Sequence, residues 1–222
     1  VKLMYAAWGV APDTLRDERL QRRLAGAGAT RLQLNLDDED VAPAMRLSTG
    51  ADPVRAVVTV WADTDEPTRV LAEEIERLAG WEVDERRPLE PPATVDGVRA
   101  DALANVAVLT KPDDLDRDVW LHRWLVEHTP VALATQASTG YVQNVVTRAL
   151  TPNAPRRVDA LVEELFPTAG MTDIHAFYGS GGDDRELQRR LDTLMASVAR
   201  IGFDRDIDLV PSSRYVYRLD DQ

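Results

Sequence analysis

The sequence predicts an α+β fold: two β-α-β-β-α-β units in tandem whose four-stranded sheets close into one barrel within the chain. Three observations predict it. The order of elements read over the first hundred residues starts again after a proline-rich break. Each unit supplies helices for one sheet face only, so the two bare faces must cover one another. The 222 residues leave room for two units of about a hundred residues each, enough to bury a real core.

Lys2 to Trp8 is an apolar run with aromatics toward its ends, which suits a buried strand. Asp13 or Thr14 can cap a helix carrying Leu15, Leu20 and Leu24, closed by Gly26 and Gly28. From Thr30 to Leu36 the chain alternates, with Leu32, Leu34 and Leu36 on one side and Arg31, Gln33 and Asn35 on the other. That is the pattern of a half-buried strand. Residues 37–53 are polar and rich in turn formers. Arg55 to Trp61 is a β-branched strand, and Asp65 with Pro67 opens a helix with Leu71, Ile75 and Leu78 at helical spacing. Trp81 to Val83 starts a short last strand. Pro88, Pro91 and Pro92 then break regular structure, and residues 87–99 read as a linker.

After the linker, Asn105 to Thr110 is a strand, and Asp116 or Asp118 caps a helix through Trp120, Trp124 and His128. Gly140 to Leu150 is a strand, followed by a proline-rich turn over Thr151 to Pro155. Val158 to Phe166 reads as a strand, although its glutamates leave a helix open. Asp183 or Asp184 caps a long helix with Leu187, Leu191, Leu194, Met195 and Val198 on one face, and Ser213 to Leu219 is the final strand. The halves are therefore ferredoxin-like repeats, residues 1–92 and 101–222.

Composition narrows the function classes. Lys+Arg is 26 against Asp+Glu 38, a net charge of −12, and mean hydropathy is −0.30. No basic stripe is available to displace the counterions of nucleic acid or to hold an anionic membrane surface. With no cysteine, disulfides, thiolate metal sites and cysteine nucleophiles are excluded. No apolar run reaches the roughly 18 residues of a membrane span, and Val1 to Tyr5 lacks the features of a signal peptide. A cytoplasmic protein is the expectation. Lys2 and Lys111 are the only lysines, an arginine bias that points to a GC-rich, bacterial genome.

The densest group of functional residue types runs from Trp120 to Ala132. Trp120, Trp124 and His128 follow one another at i, i+4 and form one stripe. The most hydrophobic stripe turns inward and would carry the imidazole with it, into surroundings where its pKa can be tuned for proton transfer. The other reading is a core histidine satisfied by backbone or water. His122 lies off the stripe and reads as a surface residue. Pro130 sits where it would kink or end the helix beyond His128.

Trp124 and His128-Thr129-Pro130-Val131-Ala132, followed by Tyr141-Val142-Gln143-Asn144, resemble the EthD family, whose members carry W-x-x-x-H-x-P-hydrophobic-A on a helix leading into a Y-hydrophobic-Q-N strand. The match is specific over about residues 104–150, extends plausibly to the C-terminus, and is weak in the first half. Residues 13–28 hold no histidine, so one active pocket of two is expected, in residues 101–222. The resemblance implies a dimeric α+β barrel, a fold shared by cofactor-independent monooxygenases, isomerases, cyclases and haem-handling enzymes. It implies a protein that binds and transforms a small hydrophobic or aromatic compound by acid/base chemistry of dehydratase, cyclase or oxygenase type. His128 and Tyr141 would be catalytic, with Trp120, Trp124, Gln143, Asn144 and Glu164 around the substrate. Glu164 shares a strand face with Val162 and Phe166, and Glu163 shares the other with Leu161 and Leu165. Whichever points under the helices could orient the imidazole; the plain alternative is an exposed glutamate.

A non-catalytic carrier of a small apolar ligand is the second reading. The third is a module whose pocket is filled by side chains such as Trp124. No cofactor or metal is expected, haem at His128 or His175 staying open through the resemblance alone, and exposed sheet edges allow a homodimer. Other signals fail. Gly179 to Gly182 precedes a helix, but Asp183 and Asp184 would repel a phosphate. Gly26-Ala27-Gly28 precedes a strand, so it is no dinucleotide fingerprint. Residues 37–40 lack the spacing of a calcium loop, the histidines lack metal-ligand spacing, and no G-x-S-x-G occurs.

Overall fold

Two sets of four strands carry the architecture: β1 (Lys2–Trp8), β2 (Ala29–Leu36), β3 (Ala56–Ala62) and β4 (Arg77–Leu89), then β5 (Leu103–Leu109), β6 (Gly140–Ala149), β7 (Ala160–Phe166) and β8 (Asp208–Arg218). The coordinates are a computed structural model describing residues 1–152, 154 and 156–219. Asn153 and Pro155 of the expected turn and the last three residues of the expected second half lie outside the described residues.

All neighbouring strands are antiparallel and close a ring in the order β1-β3-β2-β8-β5-β7-β6-β4. Each half contributes the ferredoxin-like order, β4-β1-β3-β2 and β8-β5-β7-β6. Two seams join them. One pairs β2 with β8 from Arg31↔Arg218 to Leu36↔Ser213, and the other pairs β4 with β6 from Trp81↔Ala149 to Leu89↔Tyr141. The tandem α+β barrel expected from the sequence is the observed fold. The sheet edges expected to support a homodimer are paired within the ring.

Because strand side chains alternate, the ring has two faces with separate cores. Met4, Val57, Trp81, Val106, Leu161 and Val210 fill the lumen. Outside, the first half packs Leu3, Tyr5, Leu32, Leu34 and Val58 under α1 (Pro12–Leu15), α2 (Glu18–Gly26) and α3 (Pro67–Glu74). The second half packs Leu109, Tyr141 and Val162 under α4 (Arg117–His122), α5 (Thr129–Thr135), α6 (Ile174–Tyr178) and α7 (Asp184–Ile201).

Closure overturns the half-buried reading of β2. Gln33 and Asn35 point into the lumen and are as buried as the leucines on the other face. The first helix begins at Pro12 and restarts at Glu18, capped by the Asp17 side chain rather than by Asp13 or Thr14. Extended backbone at Ile75 (φ −124°, ψ 111°) ends α3, so Leu78 belongs to β4. β4 is thirteen residues long and takes in the start of the expected linker, through Pro88. The register shift between Arg86 and Leu89 leaves Pro88 at an irregularity where no ladder N–H is needed.

Residues 160–166 are strand, which closes the helix alternative left by their glutamates. β8 starts at Asp208, five residues before Ser213, and runs through Pro211 where β2 does not reach it. Asp116 and Asp183 are the caps of α4 and α7, their side chains accepting backbone N–H groups. Met195 of the expected α7 stripe is 48% exposed; it lies about 100° around the helix from buried Leu194. No described helix is long and apolar enough to cross a membrane.

Candidate functional site

The stripe of Trp120, Trp124 and His128 does turn inward. Both indoles are fully buried and His128 is 6% exposed. Residues Arg123–His128 form a π-helical segment between α4 and α5, and the helical path continues through Pro130 to Thr135 instead of ending at the proline. Pro130 has no N–H for the carbonyl of Val126 and its ring crowds that turn. Widening to i→i+5 accommodates it, and the Thr129 hydroxyl bonds back to the carbonyls of Leu125 (3.1 Å) and Trp124 (3.3 Å).

Phe203 closes this layer from α7's end. Its ring stands edge-on to Trp120, Trp124 and His128 at centroid distances of 6.0, 5.8 and 6.4 Å. Gly202 ends α7 in the left-handed region (φ 74°), and the Phe203 N–H bonds back to the Val198 carbonyl at 3.2 Å, folding the ring over the helix end. Trp120 Nε1 donates to the Ile201 carbonyl (3.2 Å), and His128 Nδ1 is 2.9 Å from Ser197 Oγ. Burial pushes the His128 pKa down to about 4, so the ring is neutral at pH 7.

Beneath these helices the β6–β7 pair presents Tyr141, Gln143 and Glu164. Tyr141 and Glu164 are direct cross-strand partners. Gln143 Nε2 donates to Thr129 Oγ1 at 2.9 Å, tying the strand to the π-helical turn. Burial, with no compensating charge, raises the Glu164 carboxyl to about 7. Burial and then the Glu164 charge raise both the Tyr141 and Tyr178 phenols. Trp124 and Gln143 hydrogen-bond the Tyr141 hydroxyl and offset part of its rise, whereas Glu164 Oε1 is buried with no hydrogen-bond partner. Glu164 as a residue is half-buried, but its carboxyl oxygen Oε1 is itself buried.

The sequence-predicted residues thus fall in two places. Trp120, Trp124, His128, Tyr141, Gln143 and Glu164 share the layer between sheet and helices. Asn144 points the other way, into the lumen, where its Nδ2 donates to the Leu161 carbonyl (3.1 Å). Glu163 also faces the lumen. Burial alone would raise its carboxyl, but Arg214, Lys2 and the amides of Gln33 and Asn35 hold it below the usual range. His122 is exposed at α4's end, as expected.

Four residues of the layer were not expected: Thr129 as a partner of Gln143, and Ser197, Phe203 and Tyr178. Two carried a readable signal. Ser197 lies three residues beyond Leu194 on the buried face of α7, and Phe203 is the apolar residue that follows a helix-ending glycine.

Among the described residues no group of three or more His, Asp or Glu is placed to hold a metal ion. The layer does not fit a haem either. Phe203, the two indoles and Ser197 pack against His128, and none of the cavities described below reaches it. His175 shares its Nδ1 with Ser180 Oγ (2.7 Å) on a short helix elsewhere.

No family model matches the chain, and no curated protein matches it. Solved structures do. An anthrone oxidase-like protein is similar at 9% identity and TM-score 0.57, over 98% of this chain and 92% of that one. A monooxygenase-like protein of Fusobacterium nucleatum is similar at 8% identity and TM-score 0.51, over 98% and 93%. A point mutant of chlorite dismutase from Candidatus Nitrospira defluvii is similar at 11% identity and TM-score 0.50, over 99% and 92%. These likenesses show the fold: a dimeric α+β barrel completed within one chain.

Proposed function

We propose that the chain is an enzyme that transforms a small hydrophobic or aromatic compound by acid/base chemistry, in the layer between β6–β7 and the π-helical turn. The observation that carries this is the Glu164 carboxyl oxygen Oε1, buried and without a hydrogen-bond partner opposite Tyr141, whose hydroxyl is flanked by Trp124 and Gln143. An orphaned buried acceptor costs about 1–3 kcal/mol, and a guest that donates to Glu164 beside the Tyr141 hydroxyl accounts for it.

The chemistry follows from the groups present. A carboxyl with a pKa of about 7 is half-protonated at neutral pH and can both take and return a proton. Tyr141, its phenol held neutral, can donate a hydrogen bond to a carbonyl oxygen as charge develops there. His128, neutral and hydrogen-bonded to Ser197, fixes the helix above and offers a polar atom at the layer's inner end. Trp120, Trp124 and Phe203 exclude water. The rings close the layer, so a substrate reaches Glu164 as they move apart.

This reading agrees with the EthD-like pattern Trp124–His128–Pro130 and Tyr141–Gln143–Asn144, and with the oxidase-like and monooxygenase-like names of two structural neighbours. The close packing of the three aromatic rings favours a second reading, a carrier that uses the same groups to hold a ligand without turnover.

A thermal-shift screen against aromatic, polyketide-like, ether and ester compounds finds the ligand. At a hundred times its Kd a ligand should stabilise the fold by about 2.7 kcal/mol. Turnover of each hit is then followed by absorbance and oxygen uptake in wild type, Glu164→Gln, Tyr141→Phe and His128→Ala. Loss of about 10²–10⁴ in rate in Glu164→Gln with binding retained supports the enzyme. Binding without turnover in wild type supports the carrier, and a Glu164→Gln enzyme as fast as wild type overturns the assigned role.

A further inference from the structure

A strongly charged cavity lies on the opposite face of the same sheet. One mouth of the lumen opens into a space of ≈ 530 Å³, within the usual range of small-ligand pockets. Five cationic and four acidic side chains line it, in a chain whose net charge is −12.

The acids are already engaged. Lys2 and Arg87 bind Glu85, and Arg87 also binds Glu90. Arg214 Nε donates to Glu163 at 2.8 Å, and Asp96 accepts the backbone N–H of Arg218 at 2.7 Å. Two guanidinium groups, on Arg31 and Arg218, have no carboxylate among the described residues.

Those two arginines are direct cross-strand partners in the β2–β8 seam, where like charges destabilise a sheet. They belong to a row along the rim. Lys2 pairs with Trp61, Trp61 with Arg31, and Arg31 with Arg218. The Arg31 guanidinium lies over the Trp61 ring at 4.4 Å and the Lys2 ammonium at 5.1 Å, so the indole holds two cations beside the opening. Burial, Arg214 and Arg87 disfavour the charged form of Arg31, and Glu85 and Glu163 offset this only in part. A rim with this repulsion is relieved by a negative guest.

We propose that this mouth of the barrel is a second ligand site, which takes a small molecule bearing a carboxylate or phosphate group between Arg31 and Arg218. The oxyanion supplies the counter-charge that neither guanidinium finds among the described residues and accepts hydrogen bonds from both forks. The rest of the guest extends toward Trp61 and Val142 inside the cavity. The site is separate from the layer proposed for chemistry. Val142 and Glu163 line it, whereas their chain neighbours Tyr141 and Glu164 face the helices.

The test titrates the whole protein with succinate and, separately, with inorganic phosphate, by calorimetry and thermal shift, against chloride at equal ionic strength. Saturable binding of either probe is expected, and the stronger of the two identifies the headgroup. Arg31→Gln and Arg218→Gln should each weaken it about tenfold or more. Each should also raise the Tm without ligand, because the cross-strand repulsion is gone. Arg77→Gln, at the other mouth, should bind like wild type. No saturable response to either probe overturns the proposal, as does undiminished binding in both arginine variants. Binding that appears in Asp220→Asn/Asp221→Asn but not in wild type also overturns it, since the chain would then supply its own carboxylate.

Discussion

Replacing Glu163 with glutamine removes one negative charge from the lumen while hardly changing the side chain's volume. In the native protein Glu163 and Arg214 are 3% and 4% exposed. Glu163 Oε1 accepts from Arg214 Nε (2.8 Å), Gln33 Nε2 (2.8 Å) and Asn35 Nδ2 (3.3 Å). The amide substitute can keep one or two of these bonds but leaves the guanidinium buried without its counter-charge. Breaking a buried pair from one side costs about 3–5 kcal/mol. The adjoining cavity lets water reach the guanidinium, which puts Glu163→Gln near 3 kcal/mol.

For a chain of this size each kcal/mol lowers Tm by about 2–4 °C, so a drop of about 6–12 °C is expected. Urea denaturation should show a lower midpoint at unchanged m. Arg214→Met alone should cost a similar amount, and the double variant less than the sum of the two. The wild-type carboxyl is held below its unfolded range, so its contribution is complete above the unfolded pKa and is lost as pH falls through the folded one. The gap between wild type and Glu163→Gln should therefore shrink in acid. A penalty under about 1 kcal/mol at pH 7, or strictly additive single variants, would refute a buried pair that acts as a unit.

The other predictions concern the layer and one strand. The folded pKa of His128 is about 4 against 6.5 in the reference state. Its contribution, about 3 kcal/mol at most, is full above pH 6.5 and is lost as pH falls toward 4; His128→Gln should flatten that part of the urea midpoint–pH profile. Glu164 has the opposite sign, since its folded pKa of about 7 is raised from 4.5. Glu164→Gln should stabilise by about 1–3 kcal/mol at pH 8 and by nothing near pH 4, read by calorimetry at both values. Gly80→Ala would put a methyl carbon 2.6 Å from Tyr5 Cε1 and closer still to Cδ1, in a ring that is itself fully buried. A loss of about 1–3 kcal/mol is expected from chemical denaturation; an unchanged midpoint would mean that β1 and β4 are farther apart than described.

The order of elements was legible because alternation in Thr30–Leu36, β-branched runs such as residues 55–61, and caps at Asp116 and Asp183 are local signals. The inward turn of Trp120, Trp124 and His128 was legible for the same reason, since three residues at one spacing share a face. Ring closure is not local. Nothing near Gln33 or Asn35 in sequence says that Glu163 and Arg214 will meet them, so their strand reads as half solvated when both of its faces are buried. Pro88 looked like a break, yet it falls where the ladder slips. The π-helical turn was hidden as well: Pro130 announces a distortion but does not say whether the helix ends or widens around it. Glu163 and Glu164 were distinguishable only as a pair on opposite faces, and which one lies under the helices depends on β7's place in the ring.

The two seams set the sequence of events in folding. Arg31 meets Arg218 across most of the chain, and Trp81 meets Ala149 across less than a third of it; such distant pairings form slowly because long loops must close first. A first half that has folded ahead of the second carries two bare strand edges, on β2 and β4, each able to recruit a strand from another molecule. The chain's own β6 and β8 compete for those edges at the effective concentration of a tether rather than that of a free partner. Unfolding of the finished ring should accordingly be independent of protein concentration, whereas refolding from denaturant should give less native protein as concentration rises.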